Sequence, residues 1–194
     1  MAEVVLFHSV LGIRPGVQRA AERLTAAGHV VHVPDRYEGH APFDSYDDAI
    51  AFENRIGFAE LVRRTERELA DLQDELVYCG WSAGGGLAEH CALNRPGARG
   101  LVLISSAAKL SWFDAAAWPG TVPVQLHYAT DDPFREEDEL RTFMEEVESS
   151  GAACELHEYE LHGHLFDEPT LPEEFDDAAS TLMWSRIQAF LASV

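Results

Sequence analysis

The chain has 194 residues, of which 46% are hydrophobic and 25% charged, a composition typical of one globular domain spanning residues 1–194. Its 34 acidic residues outnumber its 14 basic ones, and the net charge of −20 argues against nucleic acids and anionic membranes as partners. The chain has no apolar run of membrane-spanning length, no signal-like N-terminus and only three scattered cysteines, so we expect a cytoplasmic protein without disulfides.

Short apolar runs alternate with stretches of helical periodicity, which predicts a mostly parallel sheet with helices on both faces. In chain order we predict strand Val4–His8, helix Gly16–Ala27, strand Val30–Val33, helix Phe58–Leu72, strand Leu76–Cys79, helix Ala83–Leu93, strand Leu101–Ile104, strand Val122–Tyr128, helix Glu136–Ser149, strand Ala153–Tyr159 and helix Glu173–Leu191. The polar segment Pro34–Ile56 is predicted to be an ordered loop, and Ser111–Gly120 a lid or a pocket wall. The predicted fold is one α/β domain with at least six strands.

The turn after the third predicted strand contains the pattern G-x-S-x-G, as Gly80-Trp81-Ser82-Ala83-Gly84. A serine on so tight a strand-to-helix turn adopts strained backbone angles, and the glycines leave room for strand and helix to cross. The helix dipole and the Ala83 N–H favour negative charge beside its hydroxyl. We interpret Ser82 as a nucleophile, and a structural tight turn is the alternative. A phosphate loop fits less well, because position 89 is Glu and no Gly-Lys-Ser/Thr follows.

The next two strand ends carry the acid and the base that a serine nucleophile requires. A serine hydroxyl needs a base to take its proton and an acid to orient that base, here in the chain order serine, acid, histidine. Asp131 and Asp132 follow the fifth predicted strand, and His162 and His164 follow the sixth. Each role therefore has two candidates. The two histidines with Asp167 are also compatible with a metal site, which is the weaker interpretation.

With the first strand, Val4–His8, these segments resemble the dienelactone hydrolase family of α/β-hydrolases over nearly the whole chain. The matching patterns are the G-x-S-x-G turn, Asp131-Asp132-Pro133-Phe134 and Gly163-His164-Leu165-Phe166. The resemblance implies a single-domain α/β-hydrolase that needs no cofactor and no metal. It implies that Asp132 is the acid and His164 the base, and that Asp131 and His162 are bystanders. It also implies an oxyanion hole made of the backbone N–H groups of Val10 and Ala83.

The chain departs from the family pattern in two places that bear on its substrate. The namesake enzymes use a cysteine nucleophile and a glutamate in the first loop, whereas this chain has Ser82 and Ser9 there. These changes agree, because a serine is activated by the histidine and needs no separate group to manage a thiol. The namesakes hold a carboxylate-bearing lactone with polar and basic residues, whereas Asp167 and Glu168 follow the base here. We therefore expect a neutral ester or lactone.

Six further side chains are candidates for lining the substrate pocket: His8, Ser9, Arg36, Tyr37, Trp81 and Trp112. For His8, for the Arg36–Tyr37 pair and for Trp112, a purely structural role is the alternative. The predicted function is hydrolysis of a carboxylic ester or lactone through a serine acyl-enzyme. A thioesterase or deacylase with the same residues, or a non-catalytic small-molecule binding protein, is the alternative. The expected state is a monomer or a small homo-oligomer.

Overall fold

A computed structural model describes all 194 residues, which form six strands and six α-helices. The strands are β1 (Glu3–Phe7), β2 (Val30–His32), β3 (Val77–Trp81), β4 (Gly100–Ile104), β5 (Val124–Asp131) and β6 (Cys154–His162). The helices are α1 (Pro15–Ala26), α2 (Tyr46–Ile56), α3 (Phe58–Glu68), α4 (Ala83–Asn94), α5 (Glu137–Ser149) and α6 (Asp177–Ser193), with a short 3-10 helix at Leu110–Phe113. None of these helices is long and apolar enough to cross a bilayer.

The six strands form a single sheet in the order β2-β1-β3-β4-β5-β6, and every neighbouring pair is parallel. This arrangement confirms the predicted parallel sheet. The chain steps from β1 outward to β2 and then returns to the other side of β1 to form β3. In open α/β sheets, ligands bind beyond the carboxyl ends of the strands where the direction reverses in this way. The loops that follow β1 and β3 therefore lie side by side at the expected position of a site.

The four central strands, β1, β3, β4 and β5, are buried on both faces because their side chains alternate between two apolar layers. In β1, Val5 and Phe7 face the layer completed by α3, α4 and α5. The intervening Val4 and Leu6 face the opposite layer, which α1 and α6 complete. This continuous burial is why β1, β3 and β4 are nearly unbroken apolar runs in the sequence, and it holds their ends rigidly.

Several elements end a few residues from their predicted ends: β5 and β6 extend to Asp131 and His162, and α3 ends at Glu68. Two segments differ more. The expected loop at residues 34–56 ends in α2, whose first turn is capped by the Ser45 side chain accepting from the Asp48 N–H at 3.3 Å. Ser45-Tyr46-Asp47-Asp48 is a capping pattern that the polar composition of the segment obscured. The last helix begins at Asp177 rather than residue 173, because the Asp176 side chain caps it from outside.

Candidate active site

The turn between β3 and α4 holds Ser82 in a strained conformation that only its surroundings can maintain. Ser82 has φ +51° and ψ −126°, in the region of positive φ that a residue with a side chain seldom adopts. A Cβ on Gly80 would lie 2.5 Å from the Gly84 carbonyl oxygen, and one on Gly84 would overlap the main chain at the end of β1. The Ser82 N–H also donates to the Ile104 carbonyl at 2.9 Å. Both glycines and β4 therefore fix the direction of the serine hydroxyl.

An unbroken path of hydrogen bonds leads from that hydroxyl into the protein. His164 Nε2 lies 2.7 Å from Ser82 Oγ, and His164 Nδ1 lies 2.8 and 2.9 Å from the two carboxylate oxygens of Asp132. With the imidazole proton on Nδ1, the ring donates to Asp132 and accepts from the serine O–H. The Phe134 N–H donates to Asp132 at 2.8 Å and orients the carboxylate. Asp132 and His164 are both buried, and the arrangement allows His164 to take the proton of Ser82 while Asp132 stabilises the charge that forms on the ring.

The other aspartate and the other histidine of the two candidate pairs, Asp131 and His162, point elsewhere. Asp131 and His162 are both exposed, and His162 Nδ1 lies 2.9 Å from an Asp131 carboxylate oxygen on the protein surface, away from Ser82. Asp167 accepts from the Trp81 indole N–H at 3.0 Å and does not join His162 and His164. Nowhere in the chain do three or more His, Cys, Asp or Glu side chains come together in a way that would hold a metal ion.

The two amides assigned to the oxyanion hole come from the loop after β1 and from the first residue of α4, which meet at the serine. Val10, in the loop after β1, and Ala83, the first residue of α4, both line the cleft beside Ser82. The Ala83 N–H belongs to the first turn of a helix, whose amides have no intrahelical acceptor. The Tyr37 hydroxyl lies 2.9 Å from the Val10 carbonyl oxygen and 2.6 Å from a Glu53 carboxylate oxygen. Burial raises the pKa of Tyr37, so the hydroxyl stays protonated and anchors the Val10 loop.

The cleft above Ser82 has two unequal parts. A small subsite of about 130 Å³ and a large subsite of about 680 Å³ share Ser82, Ala83, Glu53, Phe134 and His164. The remaining walls of the small subsite are Val10, Tyr46, Ile50 and Asn54. Those of the large subsite are Phe58, Gly86, Ser105, Ser106, Ala107, Ala108, Trp112, Phe113, Tyr128, Glu136 and Glu139. The walls are largely apolar, and their charged side chains are all glutamates.

Helix α2 supplies the wall that the sequence reasoning missed. Tyr46, Ile50, Glu53 and Asn54 project from one side of this helix into the small subsite. Their spacing of three to four residues is the helical signal that was available in the sequence. Because the segment was interpreted as a loop, none of the four was a candidate.

Of the six pocket candidates, Trp112 is the one that lines the cleft. It lies at the rim of the large subsite with 69% of its surface exposed. Trp118, in the same expected lid segment, is instead buried against Phe143 at a ring separation of 5.6 Å. The segment is therefore a pocket wall at Trp112 and core at Trp118.

Four other candidates lie buried behind the cleft, and their contacts explain why. The His8 Nδ1 donates to the Ser9 carbonyl at 2.7 Å, and burial together with Arg36 lowers the pKa of His8 well below its usual value. Ser9 Oγ accepts a hydrogen bond from the Leu11 N–H, in the same loop, at 3.2 Å. The Arg36 guanidinium forms a buried ion pair with Glu53 at 2.9 Å. With Tyr37, these residues support the Val10 loop and α2 from behind.

Trp81, Asp167 and Glu168 also face away from the cleft. Strand alternation turns Trp81 to the face occupied by α1 and α6, where its ring lies 6.0 Å from that of Trp184. Glu168 is buried and accepts from the Gly16 N–H at 2.8 Å, and burial raises the pKa of Asp167 to about 6. The expectation that these two acids repel substrate at the cleft is therefore wrong. The acidic groups that line it are Glu53, Glu136 and Glu139.

Comparisons with known proteins agree with this architecture. The model of the dienelactone hydrolase family matches residues 1–194. A dienelactone hydrolase-like promiscuous phosphotriesterase from metagenomic libraries is similar in structure, with a TM-score of 0.82 and 16% identity over 100% of this chain and 86% of that one. A candidate dienelactone hydrolase from Klebsiella pneumoniae has a TM-score of 0.77 and 16% identity, over 100% of this chain and 88% of that one. A metagenome-derived lipolytic enzyme has a TM-score of 0.69 and 17% identity, over 100% of this chain and 94% of that one. No curated protein matches the sequence significantly.

Proposed function

The chain belongs to the dienelactone hydrolase family, and from that premise we propose that it hydrolyses a carboxylic ester or lactone through an acyl-enzyme formed on Ser82. The observation that carries the proposal is the buried path from Ser82 Oγ through His164 to Asp132, at 2.7 and 2.8 Å. A protein that only binds small molecules has no need of a base and an acid buried behind a strained serine. The path therefore favours an enzyme over a binding protein.

The proposed reaction has two steps that use the same residues. Ser82 Oγ attacks the carbonyl carbon while His164 Nε2 takes its proton, and Asp132 stabilises the imidazolium that forms. The N–H groups of Val10 and Ala83 hold the negative oxygen of the tetrahedral intermediate. His164 then gives the proton to the leaving alcohol. In the second step His164 takes a proton from water, which attacks the acyl carbon. His164 then returns that proton to Ser82 Oγ as the acyl–oxygen bond breaks, which releases the acid and regenerates Ser82.

A serine nucleophile, rather than the cysteine of the family's namesakes, is supported by where the thiols lie. Cys79 and Cys91 are buried in the two apolar layers, and burial raises the pKa of both thiols. Neither Cys79, Cys91 nor Cys154 lines the cleft. Their absence from the cleft supports an alcohol nucleophile, which needs the base that His164 would supply.

The walls of the cleft favour a neutral substrate with one large apolar group and one small group. Phe58, Trp112, Phe113 and Phe134 give the large subsite an aromatic surface, and its volume is about five times that of the small subsite. No lysine or arginine lines either subsite, so a substrate carboxylate would find no cationic partner there. A carboxylate-bearing lactone is therefore a poor candidate.

The same composition bears on partners and location. A net charge of −20 supports a small-molecule substrate rather than nucleic acid or an anionic membrane, and three unpaired cysteines are compatible with a reducing cytoplasm. The protein would act there as a monomer or a small homo-oligomer.

The proposal is tested with a panel of neutral esters of increasing acyl length, matched lactones and matched thioesters. The wild-type protein is expected to hydrolyse at least one oxygen ester or lactone, and Ser82→Ala to lose on the order of a million-fold in rate. The matched control is Ser185→Ala, an exposed serine on α6, which should keep wild-type activity. Hydrolysis that persists in Ser82→Ala would contradict the proposed nucleophile, and cleavage of thioesters alone would favour a thioesterase.

A further inference from the structure

The carboxylate of Glu174 lies against the main chain of His164. Glu174 belongs to residues 163–176, the segment between β6 and α6, which we call the histidine loop. Its Oε2 accepts from the His164 N–H at 2.8 Å and from the Leu165 N–H at 2.7 Å. Hydrogen bonds to a charged acceptor are stronger than neutral ones, so this carboxylate fixes two successive peptide units at the candidate base. Nothing in the sequence motifs singles out Glu174.

The other polar group of the His164 backbone is held from the opposite side. The Ser105 hydroxyl donates to the His164 carbonyl oxygen at 2.6 Å. Ser105 follows β4 and has φ +52°, so its position is itself maintained by the surrounding fold. Gly163 has φ +130°, and a Cβ there would lie 3.0 Å from Glu174 Cα. The backbone of His164 is thus clamped between Glu174 and Ser105.

The same carboxylate also holds the wall of the small subsite. The Tyr46 hydroxyl donates to both Glu174 oxygens, at 3.0 and 3.1 Å, from the first turn of α2. Burial and the adjacent carboxylate raise the pKa of Tyr46, so the hydroxyl stays protonated and remains a donor. The Tyr46 ring lies 6.0 Å from the His164 ring and 5.3 Å from that of Phe134. One carboxylate therefore connects the histidine loop to the substrate wall.

We propose that Glu174 is a positioning residue that sets the His164 backbone for proton transfer and, through Tyr46, ties it to the small subsite. This inference rests on the proposed role of His164 as the base. Asp132 orients the ring through Nδ1 but leaves it free to move with its backbone, which Glu174 and Ser105 hold. Positional errors of about 1 Å in such a group can cost on the order of 100-fold in rate.

The first test is kinetic and uses the full chain with a neutral ester that the wild type hydrolyses. Glu174→Ala is expected to lower kcat on the order of 100-fold with a smaller change in KM, and Glu174→Gln, which keeps a side-chain oxygen for the two amides, to recover most of the rate. Tyr46→Phe keeps the amide bonds but frees α2, so it should change KM more than kcat. The matched control is Glu173→Ala, the exposed neighbour without a hydrogen bond, which should behave as wild type.

The second test separates positioning from a merely structural role. The proton between His164 Nδ1 and Asp132 is followed by NMR at a temperature where circular dichroism shows each variant folded. We expect Glu174→Ala to shift or broaden this resonance while Glu173→Ala leaves it unchanged. Should Glu174→Ala not fold, Glu174→Asp takes its place, because it keeps the charge but withdraws the carboxylate from both amides.

A folded Glu174→Ala or Glu174→Asp variant with wild-type kcat and an unchanged His164 resonance would overturn the inference. Loss of thermal stability with an unchanged kcat would do the same, since it would show a structural role alone. The proposed function fails separately, if the wild type hydrolyses no ester. The NMR comparison still tests the position of His164 in that case, and the two failures are distinguishable.

Discussion

Gly86 offers a way to fill the large subsite without disturbing the fold. It lies in α4 and lines the large subsite, and a Cβ built on it would meet its first neighbour, Phe58, at 3.7 Å, an ordinary contact. A Cβ at this position should therefore enter without strain, and we expect the rest of the leucine side chain in Gly86→Leu to extend into the large subsite. Since glycine is about 1 kcal/mol less favourable than alanine or leucine inside a helix, the variant should be more stable by about that amount. For a domain of this size, that corresponds to a rise of roughly 2–4 °C in Tm.

The same change should act against large substrates. The leucine side chain adds four carbons to the subsite and so displaces about four substrate methylenes, each worth about 0.8 kcal/mol when buried. The loss of about 3 kcal/mol corresponds to a fall on the order of 100-fold in kcat/KM for a long-chain ester. An acetate ester has no such chain to displace, so its kcat/KM should fall far less.

The assay compares methyl octanoate with methyl acetate by proton release, because the methyl leaving group is too small to need the large subsite. The ratio of the two kcat/KM values should fall on the order of 100-fold in Gly86→Leu, and by about fourfold in Gly86→Ala, which adds a single carbon. An unchanged ratio in a folded Gly86→Leu protein would refute the reasoning. It would mean that the octanoyl chain does not occupy the large subsite.

The remaining predictions concern the paired residues, pH and substrate charge. Asp132→Asn should lower kcat by orders of magnitude while Asp131→Asn stays near wild type, and His164→Gln should likewise lower kcat while His162→Gln does not. If steady-state assays showed the larger loss in the other member of a pair, that residue would be the acid or the base instead. Burial raises the pKa of Asp167 from 3.8 to about 6, so the folded state binds this proton more tightly than the unfolded state does. The free energy of unfolding should therefore fall by about 3 kcal/mol as pH rises from about 4 to about 6. Urea titrations of Asp167→Asn over this pH range should show a smaller fall. A variant whose stability depends on pH as the wild type's does would contradict the raised pKa of Asp167. A neutral ester should be hydrolysed faster than an isosteric ester that bears a carboxylate, and the difference between the two rates should decrease as salt is added. A faster reaction of the anionic ester at low salt would contradict the view that the cleft repels anions.

The strands and the serine turn were predictable from sequence because their causes are local. Strands buried on both faces give continuous apolar runs, and the close approach at Gly80 and Gly84 demands glycine at fixed spacing. Helix α2 was missed because the polar, proline- and glycine-containing residues 34–45 that precede it led us to interpret the whole segment as a loop, although Ser45 and Asp48 marked its start. Trp81 was wrongly expected to line the pocket because a position near a strand end does not indicate which face of the sheet the side chain is on. Its even spacing from Val77 in β3 would have shown that both side chains face the layer that α1 and α6 complete.

Other features of the site depend on contacts between distant parts of the chain. Asp131 and Asp132 are adjacent in sequence, and the fold turns Asp132 toward His164 while Asp131 meets His162 at the surface. Glu174 lies ten residues after His164 and carries no motif, so its contact with the His164 amide emerges only when the loop is folded. The resemblance of the local patterns to a family pointed to the same aspartate and histidine that the fold brings to Ser82, but it gave no information about Glu174 or α2.

The central claim is that Ser82 is a nucleophile activated by His164, and covalent labelling tests it most directly. The wild-type protein is incubated with a fluorophosphonate, and the adduct is located by peptide mass spectrometry. We expect one adduct per chain on the peptide that contains Ser82, no adduct in Ser82→Ala, and strongly slowed labelling in His164→Gln. An unlabelled wild-type protein, or an adduct on another residue that persists in Ser82→Ala, would contradict the account.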